Sequence, residues 1–214
     1  PGSRTQELDS QLPWDLSAAA QIQKQVPDVR FAIAAFKESQ AEFARTLTQP
    51  LSLDIEVYTA RTPELMQAAT CCMACSGSVS LELMYHGKPT VILYHMSKLM
   101  HRYARLMVNV RYITLVNLIA SSKPFEPLKE AWRPDDPDCE DIPMPEYPTC
   151  TDKSDEVAQH IVDWLTDEQQ YQETVSQLAT LSEMYGHPGA SQRAATFILE
   201  SLTGQSRRTS KTAA

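Results

Sequence analysis

The chain has 214 residues, 43% of them hydrophobic, and a formal net charge of -8. That length allows one or two domains with a sizeable core. No window approaches the roughly 18 uninterrupted apolar residues of a membrane-spanning helix. The opening Pro1-Gly2-Ser3-Arg4 lacks the charged-then-apolar layout of a signal peptide, so an intracellular, soluble protein is expected.

Leu8, Leu12, Leu16, Ala19 and Ile22 recur at helical spacing, and Pro27-Asp28 ends that helix before Arg30 to Phe36, an apolar run of strand length. The same order returns as a helix near Gln40 to Leu47 and a strand over Leu53 to Tyr58. It returns again as a short helix opened by Thr62-Pro63-Glu64 and a strand over Cys71 to Ala74. Ser76-Gly77-Ser78 then leads into a helix over Val79 to His86, Gly87 stands where a helix C-terminal glycine belongs, and Thr90 to Tyr94 is a further strand. Alternation of this kind predicts an α/β fold, a Rossmann-like parallel sheet with flanking helices.

Leu99, Tyr103, Leu106, Met107 and Val110 form an apolar stripe on the next helix, and Lys98, Arg102, Arg105 and Asn109 form the opposite one. From Leu83 to Phe125 there is no Asp or Glu, although the whole protein is acidic. Cations gathered without counter-ions raise the local potential for an anionic ligand or lipid surface, with a plain solvated face as the other reading. Between Lys123 and Thr149 seven prolines and an acidic cluster, Asp135 to Asp141, predict a long irregular loop. Asp152 to Thr166, Glu168 to Tyr185 and Ala190 to Leu202 read as three helices, and the tail from Gly204 has nothing to bury. The predicted division is therefore an α/β core over 1–122, an acidic Pro-rich loop over 123–150, C-terminal helices packing on the same domain over 151–203 and a flexible tail over 204–214.

Three of the five cysteines, Cys71, Cys72 and Cys75, sit in one apolar pentad, and neither a disulfide framework nor a metal site is expected. No Gly-x-Gly-x-x-Gly occurs, which disfavours a dinucleotide oxidoreductase.

An open parallel sheet binds ligands at the carboxyl ends of its strands, where loop amides and helix N-termini hold phosphate. Two segments have that character. Gly2, Ser3 and Arg4 combine a close-approach glycine, a hydroxyl and a guanidinium fork. Ser76, Gly77 and Ser78 form the second, with Glu82 placed to accept from the vicinal hydroxyls of a ribose. A turn with a surface arginine and a helix-start carboxylate are the plainer alternatives.

Taken in order, Pro1-Gly2-Ser3-Arg4 with Glu7, Ser76-Gly77-Ser78 with Leu81-Glu82, Gly87-Lys88-Pro89, Tyr94, Tyr112-Ile113, Leu115, Asn117-Leu118 and Pro188-Gly189-Ala190-Ser191 with Ala194-Ala195 resemble the lipid-A-disaccharide synthases of Gram-negative bacteria. The resemblance runs from residue 1 to about 202. It implies the C-terminal, donor-binding half of a GT-B glycosyltransferase. Such an enzyme transfers 2,3-diacylglucosamine from UDP-2,3-diacylglucosamine to 2,3-diacylglucosamine 1-phosphate and releases UDP.

On that resemblance Gly2, Ser3, Arg4 and Ser76-Gly77-Ser78 contact the diphosphate and Glu82 the ribose. Asn117 lies in the family's Leu-Pro-Asn-Leu segment, with Val116 in place of the proline. Lys98, Arg102 and Arg105 are candidates for an anionic lipid or acceptor contact. The general base is expected in a missing N-terminal domain, and the enzyme is expected to be cytoplasmic and peripheral to the inner-membrane surface. No metal, cofactor or nucleic acid is implied. Another UDP-sugar enzyme of the same half-fold, a UDP-N-acetylglucosamine transferase or an epimerase, stays open at this point, as does a non-catalytic UDP-sugar-binding subunit.

Overall fold

The structure, a computed structural model, describes residues 1–2, 4–125, 142–186 and 189–209. The predicted alternation is present. α1 (Thr5–Gln25), β1 (Phe31–Ala35), α2 (Glu38–Thr48), β2 (Ile55–Thr59), α3 (Thr62–Ala68), β3 (Cys72–Ala74), α4 (Val79–Tyr85) and β4 (Thr90–His95) follow one another, and α5 (Lys98–Met107) and α6 (Leu115–Ala120) come next. Gly87 has φ +60 just past α4, the left-handed conformation that a glycine adopts without strain.

All strand pairing is parallel, but it divides into two hydrogen-bonded sheets, β1-β2 and β3-β4-β5, rather than one. β3 has only three residues, and its ladder is taken up by β4 through Cys72 opposite Thr90 and Ala74 opposite Ile92. Successive side chains of β4 point to opposite faces, and both faces are covered. Val91 and Leu93 pack with Ala18 and Ile22 of α1 and with Val157, Ile161 and Trp164. Ile92 packs on the other side with Leu83 and Met84 of α4, Val116 of α6, and Leu178 and Leu181.

The C-terminal third departs from the sequence reading in three places. The stretch expected to be irregular through Thr149 ends in a strand, β5 (Glu146–Thr149), which extends the sheet beside β4. Pro148 is tolerated because β5 is an edge strand. Of the expected acidic loop, residues 126–141 lie outside the described residues. α7 (Ser154–Thr166) and α8 (Glu168–Tyr185) pack on opposite faces of β4, whereas the described side chains of α9 (Ala190–Thr209) are all exposed. α9 also runs through Gly204 to Thr209, where an unstructured tail was expected; residues 210–214 are not described.

Candidate functional site

The carboxyl end of β3 continues through Cys75 into Ser76-Gly77-Ser78 and then α4. Two hydroxyls fix this loop. Ser76 Oγ donates to the carbonyl of Ile113 at 3.0 Å, and the buried Ser80 Oγ donates back to the carbonyl of Gly77 at 2.8 Å. Gly77 and Ser78 are exposed, and a Cβ built on Gly77 meets nothing within 4 Å, so the space over the loop is open. Glu82, in the first turn of α4, is exposed, and its side chain makes no hydrogen bond or ion pair among the described residues.

The N-terminus of α1 comes to the same end of the sheet. The Arg4 guanidinium is within electrostatic reach of Cys75, after β3, and of Tyr94, on β4. Glu7 reaches back over the first turn, accepting from the Arg4 backbone N–H at 3.3 Å and from Arg4 Nη1 at 2.8 Å. The Arg4 side chain is 82% exposed, so this pair is of the weak surface kind and leaves the fork able to turn to a stronger anion. A Cβ on Gly2 would stand 2.2 Å from Glu7 Oε2, so here the glycine is required by a close approach. Ser3 lies outside the described residues.

Asn117 occupies a different setting. It is fully buried in α6; its Nδ2 donates to the Met144 carbonyl at 2.6 Å and to Glu146 Oε2 at 2.9 Å, while its Oδ1 accepts from Met144 N at 3.2 Å. Its side chain thus joins α6 to the segment entering β5. Glu146 is the residue that sequence reasoning missed. Set between Pro145 and Tyr147, close after an acidic run, it carries no signal that separates it from its solvated neighbours.

The cationic helix is also placed otherwise than its stripes suggested. α5 ends at Met107, short of Asn109 and Val110, and its N-cap Ser97 accepts from Met100 N at 3.2 Å. Ala104 is the buried side of the helix. The apolar stripe faces outward instead of into the core, with Leu99 81% and Leu106 78% exposed and Met100, Tyr103 and Met107 also exposed. The exposed Lys98 and Arg102 lie along one border of that apolar arc; the Arg105 side chain is outside the described set. Among the described residues, no helix is long and apolar enough to cross a membrane.

Comparison with known proteins bears on this arrangement. The profile of a family described as Lipid-A-disaccharide synthetase matches residues 1–137. The lipid-A-disaccharide synthase of Geobacter sulfurreducens is 27% identical over 205 residues, 96% of this chain and 48% of that protein. That of Gloeothece citriformis is 28% identical over 202 residues, 94% of this chain and 48% of its own length. That of Nitrosococcus oceani is 34% identical over 124 residues, 56% of this chain and 31% of its own. At its longest matches the chain spans about half the length of the curated relatives.

Proposed function

Since the chain belongs to the lipid-A-disaccharide synthetase family, we propose that it is the donor-binding half of a glycosyltransferase that joins two acylated glucosamine units. The donor is UDP-2,3-diacylglucosamine and the acceptor 2,3-diacylglucosamine 1-phosphate. The bond formed is a β-1,6 glycosidic linkage, and the bond broken is that between the donor sugar and the β-phosphate of UDP.

One observation carries this reading. The N-terminal turn of α1, with its exposed Arg4 fork, and the open loop Ser76-Gly77-Ser78 stand at the same end of β3 and β4. As the sugar bond breaks, negative charge grows on the β-phosphate, and donors aimed at that place lower the barrier. Arg4, released from Glu7, and the amides of Gly77 and Ser78 are the donors this chain offers. Gly2 is assigned to the approach to the same phosphates, and Glu82 is the carboxylate for the ribose hydroxyls. The Asn117 side chain is committed to Met144 and Glu146, so its part is to hold the nucleotide-site segment. The base that takes the acceptor proton is assigned to the part of the enzyme outside this chain.

Titrating isotope-labelled chain with UDP and mapping shifted amides tests the assignment. Shifts concentrated at Arg4, Ser76 to Ser78 and Glu82 support it. Saturating UDP without shifts there removes it.

The proposed substrates carry acyl chains, and α5 supplies a matching surface. Leu99, Met100, Tyr103, Leu106 and Met107 are exposed together beside Lys98 and Arg102, in a sequence stretch without acids. An apolar arc bordered by cations is the layout of a helix that lies in a membrane interface. We place α5 against the anionic surface of the inner membrane.

A further inference from the structure

Beyond α5 the chain runs through residues 108–114 without regular structure before α6. Such a segment has to be tied down by side chains, since no ladder of its own does so. The tie is Glu146. Its Oε1 accepts the Ile113 N–H at 2.6 Å, and its Oε2 accepts the Thr114 N–H at 3.1 Å and Asn117 Nδ2 at 2.9 Å. The residue is 3% exposed, and its backbone is fixed in β5 opposite Ile92. Ile113 is held from its other side too, because its carbonyl accepts the Ser76 hydroxyl at 3.0 Å. One residue therefore links the Ser76-Gly77-Ser78 loop to the edge strand through a single carboxylate.

A buried carboxylate is a costly way to anchor a loop. Burial drives Glu146 up to about 7, against the pull of its N–H donors. Ile113 and Thr114 face it from the loop, Asn117 from α6 and Ile92 from β4, and none of these is charged; Arg111, two residues before Ile113, lies over the Tyr112 ring. An apolar residue here would be easier to bury, yet only a two-oxygen acceptor meets two adjacent amides and a carboxamide at once.

We infer that Glu146 is a positioning residue for the nucleotide loop, fixing Ile113 and, through the Ser76–Ile113 hydrogen bond, the place of Ser76-Gly77-Ser78. The inference rests on the reading of that loop as the diphosphate site and assigns its geometry to a residue on a different strand. Its chemistry is specific. Protonation turns one oxygen into a donor, so one of the facing N–H groups loses its acceptor, and the loop loosens without unfolding the sheet.

Three measurements on the 214-residue chain, wild type against Glu146→Gln, test it: UDP affinity by calorimetry from about pH 6 to 8.5, amide exchange at Ile113 and Thr114, and the urea midpoint. The expected result at pH 8 is UDP binding weaker by roughly tenfold to a hundredfold, the loss of one charge-assisted hydrogen bond, with an undiminished urea midpoint. Exchange at Ile113 and Thr114 should accelerate by a similar factor while the amides of β4 stay protected. The affinity ratio of wild type to variant should shrink as pH falls through about 7; the ligand's own titration cancels in that ratio. Glu146→Asp, which keeps the charge and shortens the reach, should also weaken UDP but retain the wild-type pH profile.

Glutamine binding as tightly as wild type at every pH overturns the inference alone. A general loss of protection with a lowered urea midpoint in both variants also overturns it, since the role is then structural. Absence of UDP shifts at Ser76 to Ser78 in the wild type removes the diphosphate reading, and the inference with it.

Discussion

Asn117 and Met144 hold each other reciprocally: the carboxamide nitrogen donates to the Met144 carbonyl at 2.6 Å, and the Met144 N–H donates to the carboxamide oxygen at 3.2 Å. A side chain here imitates a strand partner. Replacing it by alanine leaves the buried N–H and C=O of Met144 without partners and takes a donor from Glu146. Asn117→Ala should therefore lower stability by about 3 kcal/mol, read from urea unfolding. Asn117→Asp should be no better, because it sets a second carboxylate against Glu146. A loss below about 0.5 kcal/mol for alanine would show that water replaces the carboxamide.

The Glu82 side chain is exposed and without a partner among the described residues, so its substitution can be read as a ligand effect. Glu82→Ala should weaken UDP by about tenfold, as expected for a carboxylate accepting from two hydroxyls, and leave inorganic pyrophosphate unchanged. Competition binding with both ligands decides. Equal weakening of both would move Glu82 from the ribose to the phosphates.

Asp15 is buried on α1, and neither of its oxygens has a hydrogen-bond partner among the described residues, although the Pro1 amino group stands 3.8 Å off. Burial raises its pKa from 3.8 to about 6. Between those two values the folded chain binds more proton than the unfolded one, so the stability contribution is complete below about pH 4 and is lost as pH rises to about 6. Asp15→Asn should therefore be more stable than wild type at pH 8, by on the order of 2 kcal/mol, with the gap closing below pH 4. Urea midpoints at both pH values give the answer, and a gap independent of pH would contradict it.

For α5, co-sedimentation with vesicles containing acidic lipid separates its two surfaces. Lys98→Gln with Arg102→Gln should weaken binding by roughly thirtyfold at low salt, about 1 kcal/mol per cation, and the difference should fade as salt screens it. Leu99→Ser with Leu106→Ser should weaken binding at both salt concentrations. Unchanged binding in both double variants would take α5 off the membrane.

Most of the alternation was legible because a period near two or near 3.6 is a local property of the sequence. Leu12 and Ile22, or Val91 and Leu93, announce their elements wherever the core lies. The outward face of α5 was not legible. Spacing tells which side chains share a face, and it is silent on whether Ala104 or Leu106 meets the sheet; tertiary packing chose the smaller side chain. β5 was hidden by Pro145 and Pro148, which exclude a central strand and are harmless at an edge. Gly2, Arg4, Ser76 and Glu82 could be proposed from the sequence because each carries its own chemistry at a loop or helix start. Glu146 acts through three partners, Ile113, Thr114 and Asn117, brought to it by the chain's return over some thirty residues.

The carbonyls of Pro145 and Thr149 point to β4, receiving the Ile92 and Met96 amides. Backbone direction alternates along a strand, so the backbone of residue 148 points the other way, away from β4. There a proline has no N–H to offer. Another chain arriving edge-on would meet a gap in the ladder at the strand where templated strand addition would otherwise start. All four residues of β5 are buried, so this margin of the sheet is covered as well as interrupted, and β-type self-association during folding is discouraged by the same proline that hid the strand.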